Sequence, residues 1–181
     1  MKKWWSLSLS LALIGSAVLP FSAFAAETAP SQQQPAETAP AATEELTPAM
    51  VAALDYSDAL EDIIQYEDKA ADAFNSVGMV SASNRKAVYS TLNNVIVPNY
   101  SKFYYHLKQI KPSNKEITKL HNYYLQGAAL QLEGMQLIKK SLYGAKINWT
   151  TYNQGQAKLK SGKAKIDLFI NGFEKYMDKL Q

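Results

Sequence analysis

Seven apolar residues, Ile117, Leu120, Tyr124, Ala128, Met135, Ile138 and Leu142, follow one another at intervals of three, four or seven. That is the helical period, and it commits the stretch to an α-helix with one buried face. Its ends are marked as well. Ser113 with Glu116 has the form of a capping box, and Pro112 stands just before it. Tyr143-Gly144 closes the stretch, with glycine where a left-handed residue ends a helix. A long one-faced helix must bury that face against others.

The chain supplies three more such segments. Thr47-Pro48 opens the first, threonine as N-cap and proline at N1. Its stripe is Tyr56, Leu60, Ile63, Ala70, Phe74 and Val77, and Gly78 stops it. Ser81 or Ser83 is the expected cap of the second, whose stripe is Val88, Leu92, Val95, Phe103, Leu107 and Ile110. Pro98 falls inside that pattern and is expected to kink or break the helix between Val95 and Asn99. Asn148 caps the fourth, with Tyr152, Leu159, Ile166, Ile170, Phe173, Met177 and Leu180 along its face. Helices of roughly 30 residues are about 45 Å long, and short loops make sequential neighbours antiparallel. The expected fold is all-α, an up-down-up-down antiparallel four-helix bundle over residues 48–181, long enough to enclose a core.

What precedes the bundle differs in kind. Residues 1–25 read as a signal peptide: Lys2 and Lys3, an apolar run from Leu7 to Leu19, then Ala23-Phe24-Ala25 before Ala26. The run is short for a membrane span, which takes about 20 residues, so cleavage is favoured over an uncleaved anchor. Residues 26–46 repeat AETAP at 26–30 and 36–40, with Gln32, Gln33 and Gln34 between. With so little to bury, this tract is expected to be a disordered linker, either a spacer or an inert leader. The chain has no cysteine, which excludes disulfides, thiol catalysis and thiolate metal sites.

Two pairs of glycines interrupt the helical segments: Gly127 and Gly134, then Gly155 and Gly162, each pair seven residues apart. Glycine inside a helix costs about 1 kcal/mol relative to alanine, so another interaction must offset it. Either the third and fourth helices approach backbone to backbone, or the glycines line a ligand slot.

Charge is segregated along the chain. Residues 26–78 hold eleven acids and one base, Lys69; residues 79–181 hold sixteen bases and five acids. Either the acidic first helix neutralises its basic neighbours, or a lysine face of Lys158, Lys160, Lys163, Lys165, Lys175 and Lys179 is open to an anionic partner. For an exported protein that partner is an anionic envelope polymer or a membrane surface. Nucleic acid is not expected, because Arg85 is the only arginine and no nucleic-acid fold signature accompanies the lysines.

Candidate chemistry is sparse. His106 ends the second helix and His121 begins the third, with Tyr100, Phe103, Tyr104, Tyr105, Tyr123 and Tyr124 around them. No H-x-x-x-H occurs, and neither histidine has the glutamate three residues earlier that di-iron bundles use, so no metal is expected. The histidines then either cap an aromatic packing layer or join Tyr104 and Tyr124 in a small-ligand pocket opened at Pro98. Glu67 continues the first helix's heptad and is either a buried carboxylate or displaced to the boundary by helical drift. Ser83-Asn84-Arg85-Lys86 fits S-x-x-K and Lys160-Ser161-Gly162 resembles K-[ST]-G, but that chemistry needs the second motif on a sheet strand. No catalytic site and no cofactor are expected.

The stretch IKPSNKEITKLHNYYLQGAALQLEG, residues 110–134, resembles uncharacterised exported helical-bundle proteins of Gram-positive bacteria. In those chains a K-P … L-H … Y run likewise opens a long helix behind a signal peptide. The resemblance implies export and a bundle, and carries over no catalytic residues. Together these readings describe a secreted, non-enzymatic binding or accessory module of the cell envelope, or alternatively a small-ligand-binding bundle.

Overall fold

Thr47 turns its side chain onto the start of the first helix, its Oγ1 accepting from the Met50 N–H at 3.2 Å. With Pro48 at N1 this fixes the beginning of α1 (Pro48–Ser76), and Gly78 at φ +61° ends it. The computed structural model describes residues 46–180, so the leader over 1–25 and the linker over 26–46 lie outside the described residues, Leu46 apart. Among the described residues all regular structure is helical, in four helices. After α1 comes a helix in three joined parts: α2 (Arg85–Thr91), a π-helical turn (Leu92–Ile96) and α3 (Val97–Leu107). Then follow α4 (Lys115–Leu142) and α5 (Trp149–Asp178).

Asn148 caps α5 as expected, accepting from Thr151 N–H at 3.0 Å. The other caps differ from the expectation. Asn114, not Ser113, caps α4: its Oδ1 accepts from the Glu116 and Ile117 N–H groups at 2.8 and 3.2 Å. Ser81 closes a turn instead of capping α2, donating from its N–H and Oγ to Asn84 Oδ1. Gly144 is not left-handed, since Gly78 alone among the described glycines has positive φ. The turn is closed by the Asn148 N–H donating to the Ser141 carbonyl at 2.9 Å, which spares it a left-handed residue.

Pro98 does not break its helix. A proline has no N–H to give, and its ring presses on the carbonyl four residues back. The chain answers one turn earlier by widening: Val97 N–H donates to the Leu92 carbonyl, five residues back. Asn99 then donates its side-chain N–H to the Val95 carbonyl at 2.7 Å. The extra residue in this turn rotates the face that follows. Val95, expected in the stripe, is exposed, while Ile96, Tyr100, Phe103 and Leu107 are buried.

The α4 stripe is buried throughout, as the period requires. On α5, Leu159, Ile166 and Phe173 are buried, but Phe169 and Tyr176 occupy the core in place of Ile170 and Met177, which are half-buried. The core has two unlike sides. Between α1, α3, α4 and α5 it is aromatic: Tyr124 stacks on Phe169 at 4.5 Å, and Tyr56 meets Phe169 and Phe173 at 6.2 and 5.5 Å.

Along the middle of the α4–α5 contact the two backbones meet directly, with the Gln131, Ile138, Leu159 and Ile166 side chains packed beside the glycines. A Cβ built on Gly127 would stand 2.9 Å from the Gly162 carbonyl oxygen, and one on Gly162 would stand 2.8 Å from that of Gly127. Gly134 and Gly155 repeat the exchange at 2.8 and 2.8 Å. Residue 127 therefore pairs with 162 and 134 with 155, so the two helices run in opposite directions. Each carbonyl occupies the space a methyl group would need. The expected backbone approach is the one observed.

A methyl at the seam forces the backbones apart, which typically costs about 1–3 kcal/mol, against a propensity gain of at most about 1 kcal/mol. Gly134→Ala and Gly162→Ala should therefore both lower the urea midpoint. Gly144→Ala should leave it nearly unchanged, its nearest contact being the Lys146 carbonyl at 3.6 Å. Stabilisation by both seam substitutions is incompatible with this packing.

Candidate functional site

Two rows of lysine face each other where α4 begins and α5 ends. Lys115 and Lys119 are one turn apart on α4; Lys175 and Lys179 are one turn apart on α5. Between them lies a groove of 630 Å³ with Leu120, Tyr123, Leu168 and Gly172 on its walls. Gly172 is there for a local reason: a Cβ would collide with Leu120 Cδ2, which lies against the α5 backbone. Glu116 is the one acid among the lining residues, and it meets Lys179 at 3.6 Å. Lys165 adds a charge at the margin, its Nζ 5.5 Å from the Tyr123 ring centre.

The helix dipole separates the two rows. Lys175 and Lys179 sit at the negative end of α5, where a cation is favoured. Lys115 and Lys119 sit at the positive end of α4, where it is not. With four lysines and one acid among its lining residues, the groove is net positive, which favours an anion.

Of the six lysines expected to form a face, Lys175 and Lys179 line this groove. Lys158 is paired with Glu133 at 3.0 Å and Lys163 with Asp167 at 2.7 Å; Lys160 has no ion pair among the described residues. Every ion pair among the described residues lies within α4 and α5. Among the described residues, Asp55, Asp58, Glu61, Asp62, Asp68 and Asp72 of α1 form none, so the two charged surfaces are not cancelled there by direct pairing. Lys115 and Lys119 lie outside the expected face because they belong to α4, and only the opposed packing of α4 and α5 sets them beside Lys175 and Lys179.

The four residues expected around an aromatic pocket are distributed between core and surface. His121 and Tyr124 are buried, whereas Tyr104 and His106 are half-buried. His106 stacks on Tyr66 at 5.5 Å, and Lys108 lies over the Tyr104 ring at 4.9 Å. None of the four lines the basic groove. Among the described residues, no cluster of three or more His, Asp or Glu side chains could hold a metal, and no helix is long and apolar enough to cross a membrane.

The core contains two polar couples. Glu67, 5% exposed, accepts from the Tyr124 hydroxyl at 2.7 Å. Burial raises its pKa to about 7, opposed by the Tyr124 hydrogen bond and reinforced by the charge of Asp68. His121 Nδ1 meets the Tyr56 hydroxyl at 3.1 Å, and burial, with Lys111 nearby, lowers its pKa to about 4. His121 Nε2 and the Tyr100 hydroxyl are buried without hydrogen-bond partners among the described residues.

No family model, curated protein or solved structure matches this chain.

The two couples act on stability with opposite signs. Glu67, raised from 4.5 to about 7, stabilises the fold most below its ordinary pKa, and that contribution is lost as pH rises through about 7. His121, lowered from 6.5 to about 4, contributes above its ordinary pKa and loses that contribution as pH falls toward 4. Glu67→Gln keeps an acceptor for Tyr124 and removes only the contribution of Glu67. Its stability relative to the unaltered chain should climb between pH 4.5 and about 7 and then level off. Urea midpoints across that range test this; a constant difference would show that Glu67 ionises as a surface carboxylate does.

Proposed function

We propose that the chain is an exported, non-enzymatic accessory protein of the cell envelope that binds an anionic polymer in the groove between α4 and α5. Its four helices are proposed to run up-down-up-down and antiparallel, a reading supported by the short turns and by the opposed α4 and α5. Export is supported by the charge, apolar run and A-x-A site of residues 1–25 and by the resemblance of residues 110–134 to exported bundles.

The observation that carries the reading is the placement of Lys115 and Lys119. Cations at that helix end cost stability, and a bound anion offsets the cost. Two rows of lysine also suit a repeating phosphate or carboxylate chain. Lysine is a compact charge on a flexible stem and accepts anions in many orientations, whereas arginine selects bidentate ones. The one arginine, Arg85, donates to the Leu142 carbonyl. The apolar walls give the sugar or alkyl parts of such a polymer a dry surface.

The alternative, a small ligand among Tyr104, His106, His121 and Tyr124, is supported by the unpartnered Nε2 of His121 and hydroxyl of Tyr100. Those atoms lie within the packed core, which makes the groove the better-supported site.

The chain should bind an immobilised polyphosphate at low salt and be released as salt rises. Lys119→Glu with Lys175→Glu should elute at distinctly lower salt. Lys158→Glu, on a lysine already paired with Glu133, should change elution little. Equal elution of the double variant and the unaltered chain would remove the groove from consideration.

A further inference from the structure

The opposite end of α4 carries a second surface of different composition. Met79 and Tyr143 are 78% and 76% exposed, and Trp149 is 51% exposed. These are large apolar side chains on two separate turns, and the fold holds the turns together. The Arg85 guanidinium, at the start of α2, donates to the Leu142 carbonyl at the end of α4. The Tyr89 and Tyr143 rings lie 5.8 Å apart. Asn84 donates to the Met79 carbonyl at 2.8 Å and so ties Met79 into the same corner. Trp149 stands in the first turn of α5, one edge against Tyr152 at 5.3 Å and the rest toward solvent.

Charge at this end has one sign. Residues 79–94 and 134–152 contain Arg85, Lys86, Lys139, Lys140 and Lys146 and no acid. Lys86, Lys140 and Lys146 are exposed. Lys139 is half-buried and reaches Asn93 at 3.5 Å. The acids of α1 nearest this end are Asp72, about one turn before the helix stops, and Asp68 a turn further back.

We propose that this end docks on an anionic phospholipid bilayer, with Trp149, Tyr143 and Met79 entering the headgroup layer and Lys86, Lys140 and Lys146 meeting lipid phosphates. Tryptophan and tyrosine combine an apolar body with a polar edge, which suits the boundary between headgroups and acyl chains. Lysines let their alkyl stems lie along that boundary while the ammonium stays with the phosphates. An anionic surface adds roughly fivefold in affinity for each nearby lysine. No helix is inserted; the attachment is shallow and reversible. The proposal stands independently of the groove, whose lining residues lie at the other end of α4 and α5.

Trp149 itself is the reporter. In the full chain, Trp4→Phe and Trp5→Phe leave Trp149 as the sole tryptophan. A second reporter chain carries Trp4→Phe, Trp5→Phe, Trp149→Phe and Leu168→Trp, so that residue 168, exposed and lining the groove, is its sole tryptophan. Both are mixed with phosphatidylcholine vesicles, with and without phosphatidylglycerol, made with brominated acyl chains. The proposal expects Trp149 emission to shift to the blue and be quenched only when phosphatidylglycerol is present, with the residue-168 reporter unaffected. Attachment through residues 1–25 would act on both reporters alike, and equal quenching overturns the proposal, as does unchanged Trp149 emission. Lys86→Glu, Lys140→Glu and Lys146→Glu together should weaken binding on the order of a hundredfold. If Lys119→Glu with Lys175→Glu abolishes the Trp149 shift instead, lipid contact runs through the groove and the proposal is wrong.

Discussion

The contact between the backbones of α4 and α5 governs the rest of the architecture. Four glycines let two helices touch through their own carbonyls, so their axes lie closer than side chains would allow. Dispersion then acts between main chains, and Cα–H groups can face carbonyl oxygens. This intimacy on one side leaves the aromatic volume for the other. Tyr56, Phe103, Tyr124, Phe169 and Phe173 fill the space toward α1 and α3, and Glu67 and His121 are enclosed by that layer. The perturbed titration of both groups follows from the same division of space.

Much of this was legible in the sequence because it rests on local rules. Thr47, Pro48, Gly78 and Asn148 act at the positions their chemistry indicates, and the α4 stripe is buried residue for residue. The seven-residue glycine spacing also pointed to the seam, since interior glycines need a compensating contact. The differences at the caps and along the apolar stripes share a cause: two residues offer the same chemistry and tertiary geometry chooses between them. Ser113 and Asn114 are both good caps, and the amide oxygen of Asn114 reaches two N–H groups. Val95 and Ile96 are both β-branched and apolar, and only the π-helical turn before Pro98 decides which enters the core. On α5 the exchange of Ile170 and Met177 for Phe169 and Tyr176 follows from the close seam, which sets the rotation of that helix.

The basic groove was half legible. Lys175 and Lys179 belong to a lysine-rich helix whose composition is conspicuous. Lys115 and Lys119 do not stand out until α4 and α5 are seen to be opposed, which brings the start of one beside the end of the other. The charge segregation was plain, but pairing was not: the carboxylates of α1 form no ion pairs among the described residues, while lysines on α5 are held by Glu116, Glu133 and Asp167. Exposed pairs of this kind contribute little to stability, so they shape the surface potential more than the fold.

The seam has a mechanical side. Because its two glycine contacts are a full heptad apart, sliding one helix along the other by a few residues would drive side chains into carbonyls at both places together. The pair can hinge apart or stay locked, but it cannot creep. α4, with 28 residues, is about 40 Å long, and its two ends carry the lysine groove and the aromatic turns. A pair of helices pinned in this way is a strut of fixed length. Whatever is held at one end is kept at a set distance from whatever is held at the other, and a pull on one end is transmitted to the other without slack.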